Sequence, residues 1–341
     1  MNLDPRRIEN PTSLSPLLIA EKMGTPGKFV VQFSHAGAYT PHLLRALNDI
    51  CRESSDWLEV RFYGHYGSSF DAAVLRELPD VKTLSLDCLN NILNEDVLLG
   101  LQRLSALHFG VFEFDRPDLL ERLDLRRLTS LTLSENRKRN LDLTPLSKCS
   151  SLERLFVQGH SRGIDAIARL CNLKEVTLGS FAKVQSIAFL RVLPALEKLT
   201  LILGGRDTID EFSSKTLQTL QILRVRGFQS LGDLSRFPCL RNLRIEDQLQ
   251  LKSVDLTGAQ LERLSLFNCK ELARLVGLEH QARLRDFHSA KVALNSDYLR
   301  DFPWPVTTKA VKIFSGSFKW NELTAKILTE RGYSQSFQDW R

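Results

Sequence analysis

The stretch LTSLTLSEN, residues 128–136, has leucine at its first, fourth and sixth positions and asparagine at its ninth. Leu131 and Leu133 are two residues apart, which is the period of a β-strand that buries one face. Leu128 lies three residues before this pair and adds an apolar position that the strand period alone does not explain. The stretch therefore predicts a short strand with an extra apolar anchor. If it is a repeating unit, the same frame must recur along the chain.

The frame L-x-x-L-x-L does recur, at intervals of 20 to 24 residues. The copies that begin with leucine are LSALHF at 104, LTSLTL at 128, LERLFV at 152, LKEVTL at 173, LEKLTL at 196, LQILRV at 220, LRNLRI at 240 and LERLSL at 261. Weaker copies are WLEVRF at 57, VKTLSL at 81, LRDFHS at 284 and TKAVKI at 308. Twelve repeats result, and a period of this length is the sequence signature of a solenoid.

About a dozen residues separate one frame from the next, and they have a helical spacing of apolar side chains, as in Ile164, Ile167 and Leu170. One such strand and helical turn cannot bury its apolar face alone, whereas stacked neighbours can. The pattern therefore predicts parallel strands on the inside of a curve and helical turns on the outside.

This pattern resembles the leucine-rich repeat family over roughly three quarters of the chain. The resemblance implies an α/β fold, namely a right-handed, horseshoe-shaped solenoid with a parallel β-sheet on its concave face and short helices or 3-10 turns on its convex face. The sequence departs from the family at the ninth position, where only Asn136 is an asparagine. His65, His160 and Gln248 are among the residues found there instead. We therefore expect less regular turns and no continuous asparagine ladder.

Three regions are predicted along the chain. Residues 1–56 form an N-terminal extension and cap, with a strand in KFVVQF and a helix that starts at Thr40 and Pro41. Residues 57–316 form the repeat array. Residues 317–341 form a C-terminal capping helix and tail, with the helix running from about residue 321 to Gly332. Caps are expected because an open solenoid exposes its core at both ends.

The composition is that of an ordinary globular protein with a large excess of leucine, 61 of 341 residues. Its 46 basic and 40 acidic residues give a net charge of +6, which suits an acidic partner but does not establish nucleic-acid binding. The six cysteines are far apart and form no CxxC pair, so reduced thiols are expected. No secretion signal and no apolar run of membrane-spanning length is evident, so we expect a cytoplasmic protein without a membrane partner.

Sequence motifs for catalysis are missing. The chain contains no Walker loop, GxGxxG, GxSxG or HExxH, and its seven histidines lack metal-ligand spacing. We therefore expect a protein that is not an enzyme, without catalytic residues, metal ligands or cofactors.

By resemblance, function is expected at the third, fifth and seventh positions of each repeat, whose side chains point out of the concave face. The candidate partner-binding residues are Arg61, Tyr63, His108, Phe156, Arg224, Arg226, Arg244, Arg263, Phe267 and His288. Arg224 and Arg244 are predicted to stand side by side. Either a partner with an acidic surface compensates this repulsion, or Glu246 does so by pairing with Arg226.

A basic loop follows the strand of LTSLTLSEN. It consists of Arg137, Lys138 and Arg139, and it is either a solvated loop or a second binding surface.

Two functional hypotheses follow. The first is a protein-interaction module that binds a protein partner on its concave face, as an adaptor, an inhibitor or an immunity-type protein. The alternative is binding of nucleic acid or a phosphorylated, acidic ligand through the arginine-rich C-terminal third. The interspersed acids Glu246, Asp247 and Asp286 disfavour this alternative because they interrupt a positive surface.

Overall fold

Each of the twelve predicted repeats contains a β-strand, and within each compact part of the chain these strands are parallel neighbours. The chain divides into a first unit, Met1–Leu173, and a second unit, Lys174–Arg341. The computed structural model describes residues 6–15, 19, 28–54, 57–182 and 185–336. Parts of both predicted terminal regions therefore lie outside the described residues. The parallel sheet expected from the repeat is confirmed.

The sheet of the first unit has seven strands, in the order β1 (Arg7–Glu9), β2 (Phe29–Phe33), β3 (Leu58–Gly64), β5 (Thr83–Leu89), β7 (Ala106–Val111), β8 (Ser130–Leu133) and β9 (Arg154–Gln158). A separate small pair consists of β4 (Phe70–Asp71) and β6 (Ile92–Leu93). The strand predicted in KFVVQF is β2, and it buries Phe29, Val31 and Phe33.

The sheet of the second unit also has seven strands, in the order β10 (Glu175–Gly179), β11 (Lys198–Ile202), β12 (Thr219–Leu223), β13 (Asn242–Glu246), β15 (Arg263–Phe267), β17 (Asp286–Ala290) and β18 (Ala310–Phe314). A second small pair consists of β14 (Ser253–Asp255) and β16 (Arg274–Val276).

The leucines of the repeat set the register of the strands. Leu131 on β8 lies opposite Leu107 on β7 and Leu155 on β9, so equivalent positions of successive repeats are neighbours. These leucines and their equivalents are almost completely buried. A one-residue slip would turn all of them out of the core, so the apolar pattern fixes the register.

The segments between strands are mostly 3-10 turns. They are Ala36–Ala38, Ala72–Glu77, Glu95–Gly100, Leu125–Arg127, Thr144–Lys148, Ile164–Arg169, Ala188–Val192, Leu234–Arg236 and Leu278–His280. Ile164, Ile167 and Leu170 point into the core, as their spacing predicted. A 3-10 turn rises faster per residue than an α-helix, which suits a connection this short.

Four α-helices are described: α1 (Pro41–Glu53), α2 (Leu119–Arg122), α3 (Ser296–Asp301) and α4 (Phe318–Glu330). The predicted start of α1 is confirmed, because the hydroxyl of Thr40 accepts a hydrogen bond from the Leu43 N–H at 3.2 Å. Helix α4 starts at Phe318, three residues earlier than predicted, with Ser317 as its N-cap. Beyond it, Ser334 pairs with β18 and covers part of the edge of that strand.

Buried polar side chains occupy the turn position where an asparagine ladder would lie. His160 accepts a hydrogen bond from the Leu141 N–H at 3.1 Å, and its other ring nitrogen lies 2.9 Å from the Ser134 carbonyl oxygen. Gln248 donates to the Glu246 carbonyl at 2.6 Å. Buried backbone groups need such partners, so different residue types perform the task that asparagine performs in the family pattern.

Among the described residues, none of the helices combines the length and the apolar character that a membrane crossing requires.

Candidate partner-binding surface

Side chains alternate along each strand between the core and the opposite face of the sheet. On β8, Leu131 and Leu133 are fully buried, whereas Ser130 and Thr132 are half-exposed. We call the face that carries the second set the open face of each unit. It is the face on which the sequence predicted partner binding.

Eight of the ten predicted residues lie on an open face: Arg61, Tyr63, His108 and Phe156 in the first unit, and Arg244, Arg263, Phe267 and His288 in the second. Their partner-binding role stays a prediction.

The placement predicted for Arg224 and Arg226 is wrong. Strand β12 ends at Leu223, and Gln221 is the residue opposite Arg244. Arg224 follows the strand with a φ of +53° and binds Asp247, with 2.8 Å between Nε and Oδ2. Arg226 lies two residues further on, in an isolated bridge with Gly205. The two arginines Arg224 and Arg244 therefore do not stand side by side.

The error arises from an ambiguity in TLQTLQILRV, residues 216–225. The frame L-x-x-L-x-L fits this stretch from Leu220, but an equivalent apolar frame also starts at Leu217. The second frame is the one that folds, since Leu217, Leu220 and Ile222 are fully buried. Ile222, which the first frame turns outwards, is therefore a core residue.

Three of the predicted residues in the first unit belong to one polar network. Arg61 binds Asp87 with both arms of its guanidinium, at 2.6 Å from Nε and 2.9 Å from Nη2, and donates from Nη1 to Gln32 at 3.0 Å. The Tyr63 ring lies 4.6 Å from the Arg61 guanidinium carbon, and its hydroxyl donates to Glu9 on β1. The network thus crosses β1, β2, β3 and β5.

His108 extends this network. Its Nε2 lies 3.1 Å from the Ser134 hydroxyl and its Nδ1 lies 3.9 Å from Asp87. Burial lowers the pKa of His108 more than the neighbouring carboxylates raise it, so the ring is neutral at pH 7. Most polar groups of the network find partners within it. The hydrogen bonds of this part of the open face are therefore largely satisfied within the protein.

An aromatic shelf lies on the open face of the second unit; we define it as Arg244, Phe267, His288, Lys312 and Phe314. The rings of Phe267 and His288 meet edge to face, 4.5 Å apart, and the Phe314 ring follows at 6.0 Å from His288. The Arg244 guanidinium carbon lies 5.6 Å from the Phe267 ring centre, and the Lys312 ammonium lies 5.2 Å from that of Phe314. A cation thus flanks the rings at each end.

His288 is neutral at the centre of the shelf. Burial, together with the positive charges of Lys312 and Arg244, lowers the pKa of His288 to about 4. The shelf therefore presents neutral rings and two permanent cations at physiological pH.

The arginines of the second unit's open face are paired with carboxylates. Arg244 donates to Glu246 at 2.6 Å, and Arg263 lies 3.2 Å from Asp286. Glu246 thus pairs with Arg244 and not with Arg226, the partner considered from sequence. Lys312 differs, because it forms no ion pair with any carboxylate in the part of the chain that the structure describes.

An apolar row that includes the shelf residues Phe267 and Phe314 runs along the carboxyl ends of the strands. It contains the half-exposed residues Ile202, Leu223, Phe267, Ala290 and Phe314, and only Glu246 interrupts it. Five strand spacings separate its ends, about 24 Å. A row of apolar side chains with a single interruption on a sheet face favours contact with another molecule.

Sequence reasoning missed Gln32, Leu223 and Phe314. The signal for Phe314 was present, because it is the seventh residue of the frame that begins at 308. Leu223 was lost through the frame error in β12. Gln32 belongs to a strand upstream of the first recognised repeat, so no repeat position marked it as a candidate.

One carboxylate binds two of the three cationic side chains of the basic loop. Arg137 Nη2 lies 2.5 Å and Lys138 Nζ lies 3.3 Å from the oxygens of Glu113. The Arg139 backbone N–H donates a hydrogen bond to the Asn136 side chain at 2.9 Å, so this asparagine stabilises the loop to which it belongs. The role of this loop as a second binding surface stays a prediction.

The chain has a leucine-rich repeat fold, the fold of the family that its sequence resembles. This fold is defined by one strand per repeat, parallel pairing in register and 3-10 turns between the strands. A chain of the glycosylated Toll–Spatzle complex of Drosophila shares it with a TM-score of 0.56 and 16% identity. The alignment covers 91% of the present chain and 44% of the Drosophila chain, so this chain spans less than half of that length.

Two bacterial structures are also similar. A leucine-rich repeat protein of Leptospira interrogans has a TM-score of 0.49 and 13% identity, over 96% of this chain and 93% of its own. An internalin of Listeria monocytogenes has a TM-score of 0.42 and 15% identity, over 83% of this chain and 71% of its own. No family model and no curated protein matches the sequence.

Proposed function

We propose that the protein is a protein-interaction module whose second unit binds a partner protein on its open face. The observation that carries this proposal is the aromatic shelf, with Phe267 and Phe314 half-exposed on a sheet face. Aromatic and arginine side chains are enriched where binding energy concentrates in protein interfaces. The neighbouring apolar row enlarges the surface to a length that suits a protein partner better than a small molecule.

The proposed protein acts by binding its partner and not by catalysing a reaction. The lowered pKa values of His108 and His288 arise mainly from burial within packed strands, not from a constellation of nucleophile and base. An adaptor, an inhibitor and an immunity-type protein can all use such a surface. The identity of the partner will distinguish these roles.

Nucleic-acid binding is the weaker proposal. Arg224, Arg244 and Arg263 each have a carboxylate partner, so they do not form an unbroken positive surface for a phosphate backbone.

A cytoplasmic location is also proposed. Its support is that all six cysteines are free thiols, three of them exposed, which suits a reducing compartment.

Affinity capture tests the function. The tagged full chain and its Phe267→Ala/Phe314→Ala variant are used to capture proteins from a lysate of the source organism, and the captured protein is then purified and its binding remeasured. We expect one stoichiometric partner whose binding the double variant weakens at least tenfold. The control is Leu249→Ala, which removes a 66% exposed leucine outside the strands. Equal capture by all three proteins, or recovery of nucleic acid alone, contradicts the proposal.

A further inference from the structure

The aromatic shelf has spare positive charge at one point only. Arg244 and Lys312 belong to the same row of the sheet, on β13 and β18, with Ser265 and His288 between them. Three strand spacings, about 14 Å, separate the strands that carry the two cations. Both side chains are long enough to extend towards each other over the space between these strands. Arg244 shares its charge with Glu246, whereas Lys312 has no carboxylate partner among the described residues.

Arg244 also has unused hydrogen-bonding capacity. Its Nη2 donates to Glu246, but its Nε is buried and makes no hydrogen bond to the described residues. A buried donor without an acceptor is unfavourable, so a movement of the Arg244 side chain that brings Nε to an arriving acceptor would be favoured. The Nε–H of Arg244 and the ammonium of Lys312 both belong to the shelf.

The surroundings select the kind of anion that fits. Glu246 is the neighbour of Phe267 along the apolar row, and Asp286 lies two residues before His288 on β17. A chain of phosphates that extended beyond the shelf would approach these carboxylates. A single carboxylate would not, because it can remain over Ser265 and His288 between the two cations.

An apolar group next to that carboxylate also has a place. The rings of Phe267 and Phe314 flank the His288 ring and are half-exposed. An aromatic or aliphatic side chain can pack on them while its neighbour's carboxylate reaches the cations, and aromatic contacts of this kind are favourable beyond the burial of their area.

We propose that the aromatic shelf is the anchor site for one segment of the partner protein, in which an aspartate, a glutamate or a C-terminal carboxylate lies next to an aromatic or large aliphatic side chain. The carboxylate binds between Arg244 and Lys312, and the apolar side chain packs on Phe267 and Phe314. This inference rests on the proposed function and adds the chemistry of the partner to it.

The test selects ligands from a phage-displayed library of random dodecapeptides, with the immobilised full chain as bait. Selected peptides are then synthesised, and their binding to the full chain is measured by fluorescence anisotropy. We expect an enriched pair of an acidic residue and a neighbouring aromatic or aliphatic residue. Lys312→Glu should weaken binding about tenfold or more, the scale of one charge-assisted hydrogen bond. Lys312→Arg should retain it within about threefold.

The matched control is Lys198→Glu, a lysine of the same open face that already pairs with Glu175 at 3.8 Å. Circular dichroism verifies that each variant is folded. Peptides without an acidic residue, or equal weakening by Lys198→Glu and Lys312→Glu, overturn the inference. Preferential binding of a labelled single-stranded DNA dodecamer, lost in Lys312→Glu, overturns it in favour of a nucleic-acid ligand.

Failure of this inference can be told apart from failure of the proposed function. If the captured partner binds in a Phe267- and Phe314-dependent manner but is unaffected by Lys312→Glu, the interaction surface stands and the carboxylate anchor is wrong. If no open-face variant alters partner binding, the proposed function itself is wrong.

Discussion

The guanidinium of Arg61 and the carboxylate of Asp87 form two parallel hydrogen bonds, at 2.6 and 2.9 Å, across neighbouring strands of the first unit. Both side chains are largely buried, with 19% and 11% of their surfaces exposed. The Arg61 guanidinium can be buried because its hydrogen bonds to Asp87 and Gln32 replace the hydrogen bonds to water that it loses on folding. Removal of one partner leaves the other charge poorly solvated.

Asp87→Asn should therefore destabilise the protein by about 2–4 kcal/mol, since it leaves the buried Arg61 without its anion. The free energy of unfolding in urea measures this loss. Glu77→Gln is the control, because it breaks the exposed Arg45–Glu77 pair, whose side chains are 63% and 31% exposed. Its effect should stay within about 1 kcal/mol. Equal effects of the two substitutions would contradict this account.

His160→Ala should destabilise the protein by about 2–4 kcal/mol, because it removes the acceptor of the Leu141 N–H and the donor to the Ser134 carbonyl. His160→Asn should lose less, since an amide can replace one of these bonds. His280→Ala, which truncates a 70% exposed side chain, should change stability by less than about 0.5 kcal/mol. Because Nδ1 accepts from a backbone N–H, the neutral ring carries its proton on Nε2, which ¹⁵N spectra can verify.

Gly204→Ala should be costly, because Gly204 has a φ of +68° and an added methyl carbon would lie 2.7 Å from the Phe181 nitrogen. We expect a loss of about 2 kcal/mol or more, from the left-handed backbone and the collision together. Gly332→Ala separates the two causes, since Gly332 has a φ of +91° but no atom within 4 Å of the added carbon. It should cost about 1 kcal/mol. Thermal unfolding of both variants checks the difference.

His288 should make stability depend on pH. Its folded pKa of about 4 lies below the unfolded value of about 6.5. The unfolded chain therefore binds a proton between these values that folded His288 does not, and the free energy of unfolding falls as the pH drops through this window. One such group changes the free energy of unfolding by at most about 1.4 kcal/mol per pH unit. Above pH 6.5, His288 is neutral in both states, and the free energy of unfolding no longer depends on its protonation. His288→Gln should reduce the slope measured by urea unfolding.

Lys312→Met should raise the pKa of His288, because it removes a nearby positive charge. The pKa should stay below its ordinary value, since burial is the larger cause and is unchanged. An NMR titration of the full chain measures this, with Lys198→Met as a control that leaves His288 unaffected. A His288 pKa that does not respond to Lys312→Met would mean that the charge of Lys312 does not contribute to its lowering.

The sequence predicted the fold well because the L-x-x-L-x-L frame carries both the strand period and the repeat length. The twelve strands, the buried face and helix α1 all follow from apolar spacing and one capping pair. The frame failed only where leucine and isoleucine at 217, 220, 222 and 223 satisfy two registers. Apolar spacing cannot choose between them there, because the choice depends on which residues face neighbouring strands.

The surface was less predictable than the fold. Alternation placed Phe156 and Phe267 on the open face, but it did not reveal which charges pair. The pairs Arg61–Asp87 and Arg224–Asp247 join residues 26 and 23 positions apart. Side-chain length and rotamer decide such contacts, and neither follows from the period of the repeat.

The pairing of each open-face arginine with its own carboxylate has a consequence for kinetics. At physiological salt, fields are screened over about 8 Å, so Arg244–Glu246 and Arg263–Asp286 nearly cancel for a partner at a distance. We therefore expect unsteered association, at about 10⁵–10⁶ M⁻¹s⁻¹, with little dependence on salt. Discrimination between partners would then depend on how long a complex lasts after contact, not on how often partners meet.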